Sequence, residues 1–216
     1  MHDPAPAAHH PRTVAREGTH TVEIKKSRFL GTVARAGSEA EARAVLERVR
    51  KAHWDANHHC LAYVVGERGA LQKASDDGEP AGTAGVPMLE VLRKRGLVDT
   101  VAIVSRWFGG VKLGAGGLVR AYGQTVSETI DAVGVVERRP LALLTVRVPY
   151  DDAGRVEHAL RASPHPPTAI DYGADVALAV ALAPEEVEPF RAWLAALTGG
   201  AVAAETTGRA VVEVPV

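Results

Sequence analysis

Apolar and polar positions change their period several times along the chain, and each change marks a predicted element. Residues 21–34 alternate with period two and break at the polar Lys25-Lys26-Ser27, which predicts two short strands, 21–24 and 28–34, joined by a turn. Ser38 and Glu41 then form a capping-box pattern. Ala42, Val45, Leu46, Val49 and His53 follow at helical spacing, so an amphipathic helix is expected over 38–52. An apolar run at 59–65 reads as a strand, and the polar Ser75-Asp76-Asp77-Gly78-Glu79-Pro80 as a loop. A second helix has Pro87 near its start, an apolar face of Met88, Leu89, Val91 and Leu92, and a stop at Gly96. Residues 97–104 are too short and too β-branched for a helix and predict a buried strand. A third helix over 116–133 places Leu118, Tyr122, Thr125, Thr129 and Val133 on one face and ends at Gly134.

Past Arg138-Arg139-Pro140 the pattern resets. The remainder parses as strand 141–148, helix 151–162, strands 168–172 and 175–182, helix 184–197 and strand 201–214. That βαββαβ order is the ferredoxin-like arrangement of two helices on one face of a four-stranded antiparallel sheet. The fold class expected is therefore α+β in two domains, an N-terminal α/β domain over 20–138 and a C-terminal ferredoxin-like domain over 140–216. Residues 1–19, with Pro4, Pro6 and Pro11 and no apolar h-region, are expected to be a disordered tail and not a secretory signal. The carboxylates of the second domain, Asp151, Asp152, Glu185 and Glu186, sit at helix starts, where the helix dipole accounts for them. That domain reads as a binding or docking module.

Composition narrows the class. At 216 residues, with 46% hydrophobic and 24% charged residues, the chain has the balance of a globular protein, and no stretch approaches a membrane span. A single cysteine, Cys60, excludes an internal disulfide framework and suits a reducing compartment, so a cytoplasmic location is expected. The net charge of −1 argues against a strongly polyanionic partner, but its distribution changes that picture. Residues 1–139 hold 20 Lys and Arg against 16 Asp and Glu, giving +4, whereas residues 140–216 hold 5 against 10, giving −5. This asymmetry favours the first domain as the anion-facing one, against the bland alternative that both surfaces are merely solvated.

The chemistry concentrates in Arg106-Trp107-Phe108-Gly109-Gly110-Val111-Lys112-Leu113-Gly114-Ala115-Gly116-Gly117-Leu118-Val119-Arg120, which runs from a strand end through five glycines into a helix. Glycines let backbone N–H groups approach a ligand, a helix N-terminus adds unpaired donors, and Arg106, Lys112 and Arg120 supply full charges. Neither a Walker nor a dinucleotide-binding spacing is present. The bland alternative is a tight turn with surface cations. Trp107 and Phe108 suit base stacking or a place in the core. Three carboxylates in Asp76-Asp77-Gly78-Glu79-Pro80 suit a divalent metal or a solvated turn. His53, His58, His59 and Cys60 have zinc-ligand chemistry without zinc-site spacing, and Cys60 inside an apolar strand reads as an inert thiol. No metal or cofactor is expected.

Three ordered motifs, Asn57-His58-His59-Cys60-Leu61-Ala62-Tyr63, Asp76-Asp77-Gly78-Glu79-Pro80-Ala81-Gly82-Thr83-Ala84-Gly85 and residues 106–123, resemble the bacterial YigZ branch of the IMPACT family. The match is strong over about residues 20–135. Asn57 and His59 stand where that family is expected to carry Thr and Asn, and Trp107 where Tyr or Phe is commoner. The resemblance implies an N-terminal domain like the second domain of a small-subunit ribosomal protein and a C-terminal domain like the last domain of elongation factor G. Eukaryotic IMPACT proteins regulate translation through a partner that activates a stress kinase, using a further N-terminal domain, so that partner does not carry over. The implied site residues are His58, Asp76, Asp77, Glu79, Thr83, Arg106, Gly109, Gly110, Lys112, Gly114, Gly116, Gly117 and Arg120. The reading expected first is a non-enzymatic RNA- or ribosome-binding regulator of translation, with a protein partner in translation control also open. The alternatives are a metal-assisted hydrolase or transferase acting on a nucleotide or other phosphorylated small molecule, and a protein-docking module.

Overall fold

The computed structural model describes residues 10–216. The chain divides into two units, one holding the described residues up to Arg138 together with Val214–Val216, the other Arg139–Glu213. Both are mixed α and β, the α+β class.

The first unit opens with β1 (Arg12–Val14), β2 (Gly18–Ile24) and β3 (Ser27–Arg35). The expected tail over 1–19 needs correction here: residues 1–9 lie outside the described residues, but Arg12–Val14 pair antiparallel with Val135–Glu137 and Val14 is fully buried. The β-branched pair Thr13 and Val14 finds a ladder and a core, which outweighs the proline-rich context before it. Then come α1 (Glu39–Ala52), β4 (His58–Val65), β5 (Leu71–Ser75), α2 (Gly85–Lys94), β6 (Thr100–Trp107) and α3 (Ala115–Val133). The sheet order is β2-β3-β6-β4-β5, with every pairing antiparallel.

Both faces of this sheet are covered. Cys60, Ala62 and Val64 of β4 and Ala102 and Val104 of β6 join α2 and α3 in one core cluster. Leu61, Tyr63, Val65, Val101 and Ile103 alternate with them into a second cluster against α1. Strands buried on both faces read as continuous apolar runs, which is how 59–65 was legible. Ser38 caps α1 by accepting from the Glu41 N–H, while the Glu41 carboxylate reaches back to the Gly37 N–H. Two differences bear on the site. The strand expected at 97–104 runs instead from Thr100 to Trp107, because it is β3 and β4 that fix its ladder. β5 was not expected, since its sequence LQKAS carries no alternation and only its pairing with β4 makes it a strand.

In the second unit, β7 (Val135–Val148, entering from the first unit), β9 (Val176–Leu182) and β8 (Ala169–Tyr172) are neighbours in the sheet, and β10 (Ala204–Pro215) pairs with β7. α4 (Tyr150–Arg161) and α5 (Val187–Thr198) complete the βαββαβ order. Pro140 is tolerated inside β7 because pairing with β1 ends at Glu137 and pairing with β9 starts at Ala142. Leu144, Val146, Val148, Leu178, Val180, Phe190 and Leu194 form this unit's own core.

Candidate functional site

Strand alternation decides which residues of the glycine-rich segment share a face. Since β6 continues through Trp107, Arg106 falls on the same side as Ala102 and Val104, towards α2 and α3, and Trp107 on the other. Trp107 is therefore not part of the anion-facing cluster expected of it. Arg28, its register partner on β3, stacks its guanidinium 3.8 Å over the indole, the indole N–H donates to Asp55 at 2.9 Å, and His53 meets the ring edge-on. The same alternation separates the histidines. His58 faces the α2 and α3 side, and His59 the other, where its buried ring meets the Ser105 hydroxyl at 2.9 Å and burial pulls its pKa down.

A cleft of about 490 Å³ opens on the Arg106 side, lined by residues that include His58, Glu79, Arg106, Phe108, Lys112 and Gly114. Its floor is a buried ion pair. Arg106, only 5% exposed, donates to Glu79 Oε1 at 2.5 Å, and the Tyr122 hydroxyl donates to the same oxygen at 2.7 Å. Arg106 also donates to the Ser27 hydroxyl, lies 5.6 Å from the centre of the Phe108 ring, and leaves its Nε buried without an acceptor. The expectation that Arg106 contacts phosphate at the surface is thus corrected: a guanidinium at the end of a buried strand is held by the one carboxylate that can neutralise it there. Burial, with Cys60 and Glu79 alongside, drives the Tyr122 hydroxyl pKa upward, so it stays a donor. Cys60 donates its thiol to the Asp76 carbonyl, and burial pushes its pKa up to about 12, which makes it unreactive as a nucleophile.

The acidic loop does not form a metal site. Asp76 accepts from the N–H groups of Gly82, Ala84 and Gly85 at 2.7, 3.0 and 2.8 Å, and these amides outweigh burial, which raises its pKa, to leave the carboxyl below its ordinary value. Asp77 takes Arg50 on one oxygen and the His59 N–H on the other. Thr83 is buried and donates to the Pro80 carbonyl. Among the described residues, Glu79 Oε2 alone of the loop's carboxylate oxygens has no donor, far short of the oxygen set a hard divalent cation requires. The reading of a metal-assisted enzyme loses its three carboxylates to these internal roles.

The glycine-rich loop is different. The Phe108 N–H donates to the Asn57 side chain and the Gly109 N–H to Ser27, but among the described residues no acceptor meets the N–H groups of residues 110–117. Gly114 is the N-cap of α3 at φ +74°, a left-handed geometry that spares the loop a side chain at the helix mouth, and it supplies no capping oxygen. A Cβ on Gly109 would sit 1.9 Å from the Lys26 carbonyl, so only glycine lets the loop pass under the β2–β3 turn. Lys112 and Arg120 are exposed and have no acidic partner among the described residues, and the Arg120 guanidinium lies within about 4.0 Å of where a Gly116 Cβ would stand. Gly110 and Gly117 shape the loop without lining the cleft.

Several participants were not singled out from sequence. Tyr122 carried only a helical-face signal, and Ser27, Lys25 and Lys26 only a turn signal; the close approach of Gly109 to Lys26 brings that turn to the loop. Lys25 and Lys26 hold positive φ values of 48° and 63°, the primed hairpin geometry that usually takes Asn-Gly.

Residues 25–130 match the Impact N-terminal domain, and residues 146–201 match a domain of unknown function, DUF1949. The chain is similar to the IMPACT family member YvyE of Bacillus subtilis, 47% identical over 188 residues and covering 87% of each chain. It is also similar to the IMPACT family member YigZ of Escherichia coli, 41% identical over 182 residues, covering 83% of this chain and 89% of the other. A crystal structure of a hypothetical protein matches 91% of this chain and 97% of its own at 38% identity, with a TM-score of 0.58.

Proposed function

Because this chain belongs to the IMPACT family, we propose that it binds RNA, free or in the ribosome, and so modulates translation, using the loop from Gly110 to Gly117 as its phosphate contact. The observation that carries this reading is the row of backbone N–H groups that meet no acceptor among the described residues at the N-terminus of a 19-residue helix, flanked by the exposed cations Lys112 and Arg120. A helix N-terminus offers oriented donors and partial positive charge, and a phosphate completes both. Exposed Lys25 and Lys26, on the turn that abuts Gly109, add positive charge at the same end of the sheet. Phe108, 48% exposed, supplies an aromatic surface of the kind that accepts a base without reading its sequence.

Binding of this kind releases counterions, so affinity for single-stranded RNA falls with added salt. Lys112→Ala and Arg120→Ala each lower the slope of log K against log salt by about 0.7. The measurement is fluorescence anisotropy of labelled RNA, and sedimentation with ribosomal subunits, across a salt series. Binding that is undetectable, or that ignores both salt and these substitutions, overturns the proposal.

A further inference from the structure

The cleft has two chemically different ends. At the mouth are donors, namely Lys112 and the free N–H groups of the α3 N-terminus. At the floor are acceptors. Glu79 has a side chain only 3% exposed and lines the cleft, and both Arg106 and Tyr122 donate to its Oε1. No donor among the described residues reaches its Oε2, which leaves that oxygen free to accept from a group in the cleft. His58 also lines the cleft. Its Nδ1 donates to the Asp77 carbonyl at 2.9 Å, since that oxygen can only accept, and Nε2 is the ring nitrogen left without a partner among the described residues. Phe108, Leu113 and Leu118 form apolar walls between the two ends.

Glu79 Oε2 keeps accepting capacity on the cleft side, and a charged acceptor there forms a strong hydrogen bond with a ligand N–H. From this polarity we infer that the cleft holds one nucleoside monophosphate unit, with its phosphate on Lys112 and the α3 amides, its base along Phe108, and a base N–H on Glu79 Oε2. About 490 Å³ lies in the range of pockets that enclose a small molecule and is far too small for a folded strand. The same chemistry comes from a free nucleotide or from the 5′-phosphorylated end of an RNA. The inference rests on the anion reading of the same loop.

Calorimetric titration of the full chain with AMP and GMP tests it. Adenosine, lacking the phosphate, and purine riboside monophosphate, lacking every base N–H, are each expected to bind at least about tenfold more weakly than AMP. Glu79→Gln is expected to lower AMP affinity by a similar factor if circular dichroism shows it folded, and the analogue series decides the matter in the native protein whether or not that variant folds. A 5′-phosphorylated RNA that competes with AMP better than its 5′-hydroxyl counterpart assigns the site to RNA ends; equal competition assigns it to a nucleotide within an RNA strand, and no competition assigns it to free nucleotides. Absence of AMP and GMP binding, or indifference to the loss of the base N–H, overturns the inference. Mononucleotide binding without polymer binding instead sinks the RNA reading and leaves this one standing.

Discussion

At the scale of single residues, Arg106 and Glu79 matter most, because a charge buried at the end of a strand has to be neutralised where it lies. Arg106→Met leaves the Glu79 carboxylate buried with only Tyr122, which is expected to cost about 3–5 kcal/mol. The double variant Arg106→Met, Glu79→Leu is expected to recover most of that loss, since it removes the uncompensated charge as well. Urea unfolding of the two variants checks the difference, and equal destabilisation of both would refute the coupling. Cys60 gives a second test. With no exposure and a pKa near 12, it should resist a thiol-labelling reagent at neutral pH in the native protein and react on unfolding. Both residues were visible in the sequence, Cys60 as an inert strand thiol and Arg106 as a cation. What sequence could not assign was the direction of the Arg106 side chain, because that follows from the three residues by which β6 runs past its expected end.

At the scale of elements, α2 starts on Ala84, which has no side chain to cap it, and Asp76 does so from across the loop. Asp76→Asn should cost roughly 1–3 kcal/mol, since the neutral amide makes weaker bonds to the same three N–H groups. The pH dependence follows from the lowered carboxyl pKa. In the unfolded chain this carboxyl titrates at its ordinary, higher value, so its stabilisation is complete above that value. It is lost as pH falls through the folded-state value. The stability gap between the wild type and Asp76→Asn, followed by thermal unfolding, should therefore close on acidification; a gap that widens in acid would exclude this role. The acidic loop illustrates the limit of local reading, because three carboxylates in four residues look alike in sequence and take three different partners in space.

At the scale of the whole molecule, positive charge gathers in the first unit and negative charge in the second. Salt dependence of RNA binding should thus be insensitive to Arg209→Ala, an exposed cation of the second unit, while responding to Lys112→Ala. A slope that changes equally for both would mean that contact is not concentrated at the glycine-rich loop. The two-unit α+β order, the buried strand at 59–65, the helix faces and the glycine-rich segment at 106–120 between a strand and a helix followed from sequence, because hydrophobic period, capping residues and glycine content act over a few neighbouring positions. Tertiary structure alone decided that Trp107 faces away from Arg106, that Arg106 spends its charge on Glu79, that residues 12–14 join a ladder, and that the Lys25-Lys26 turn meets Gly109. Each of those depends on register and on contacts between residues tens of positions apart, where one residue of slip along a strand reverses the face to which a side chain belongs.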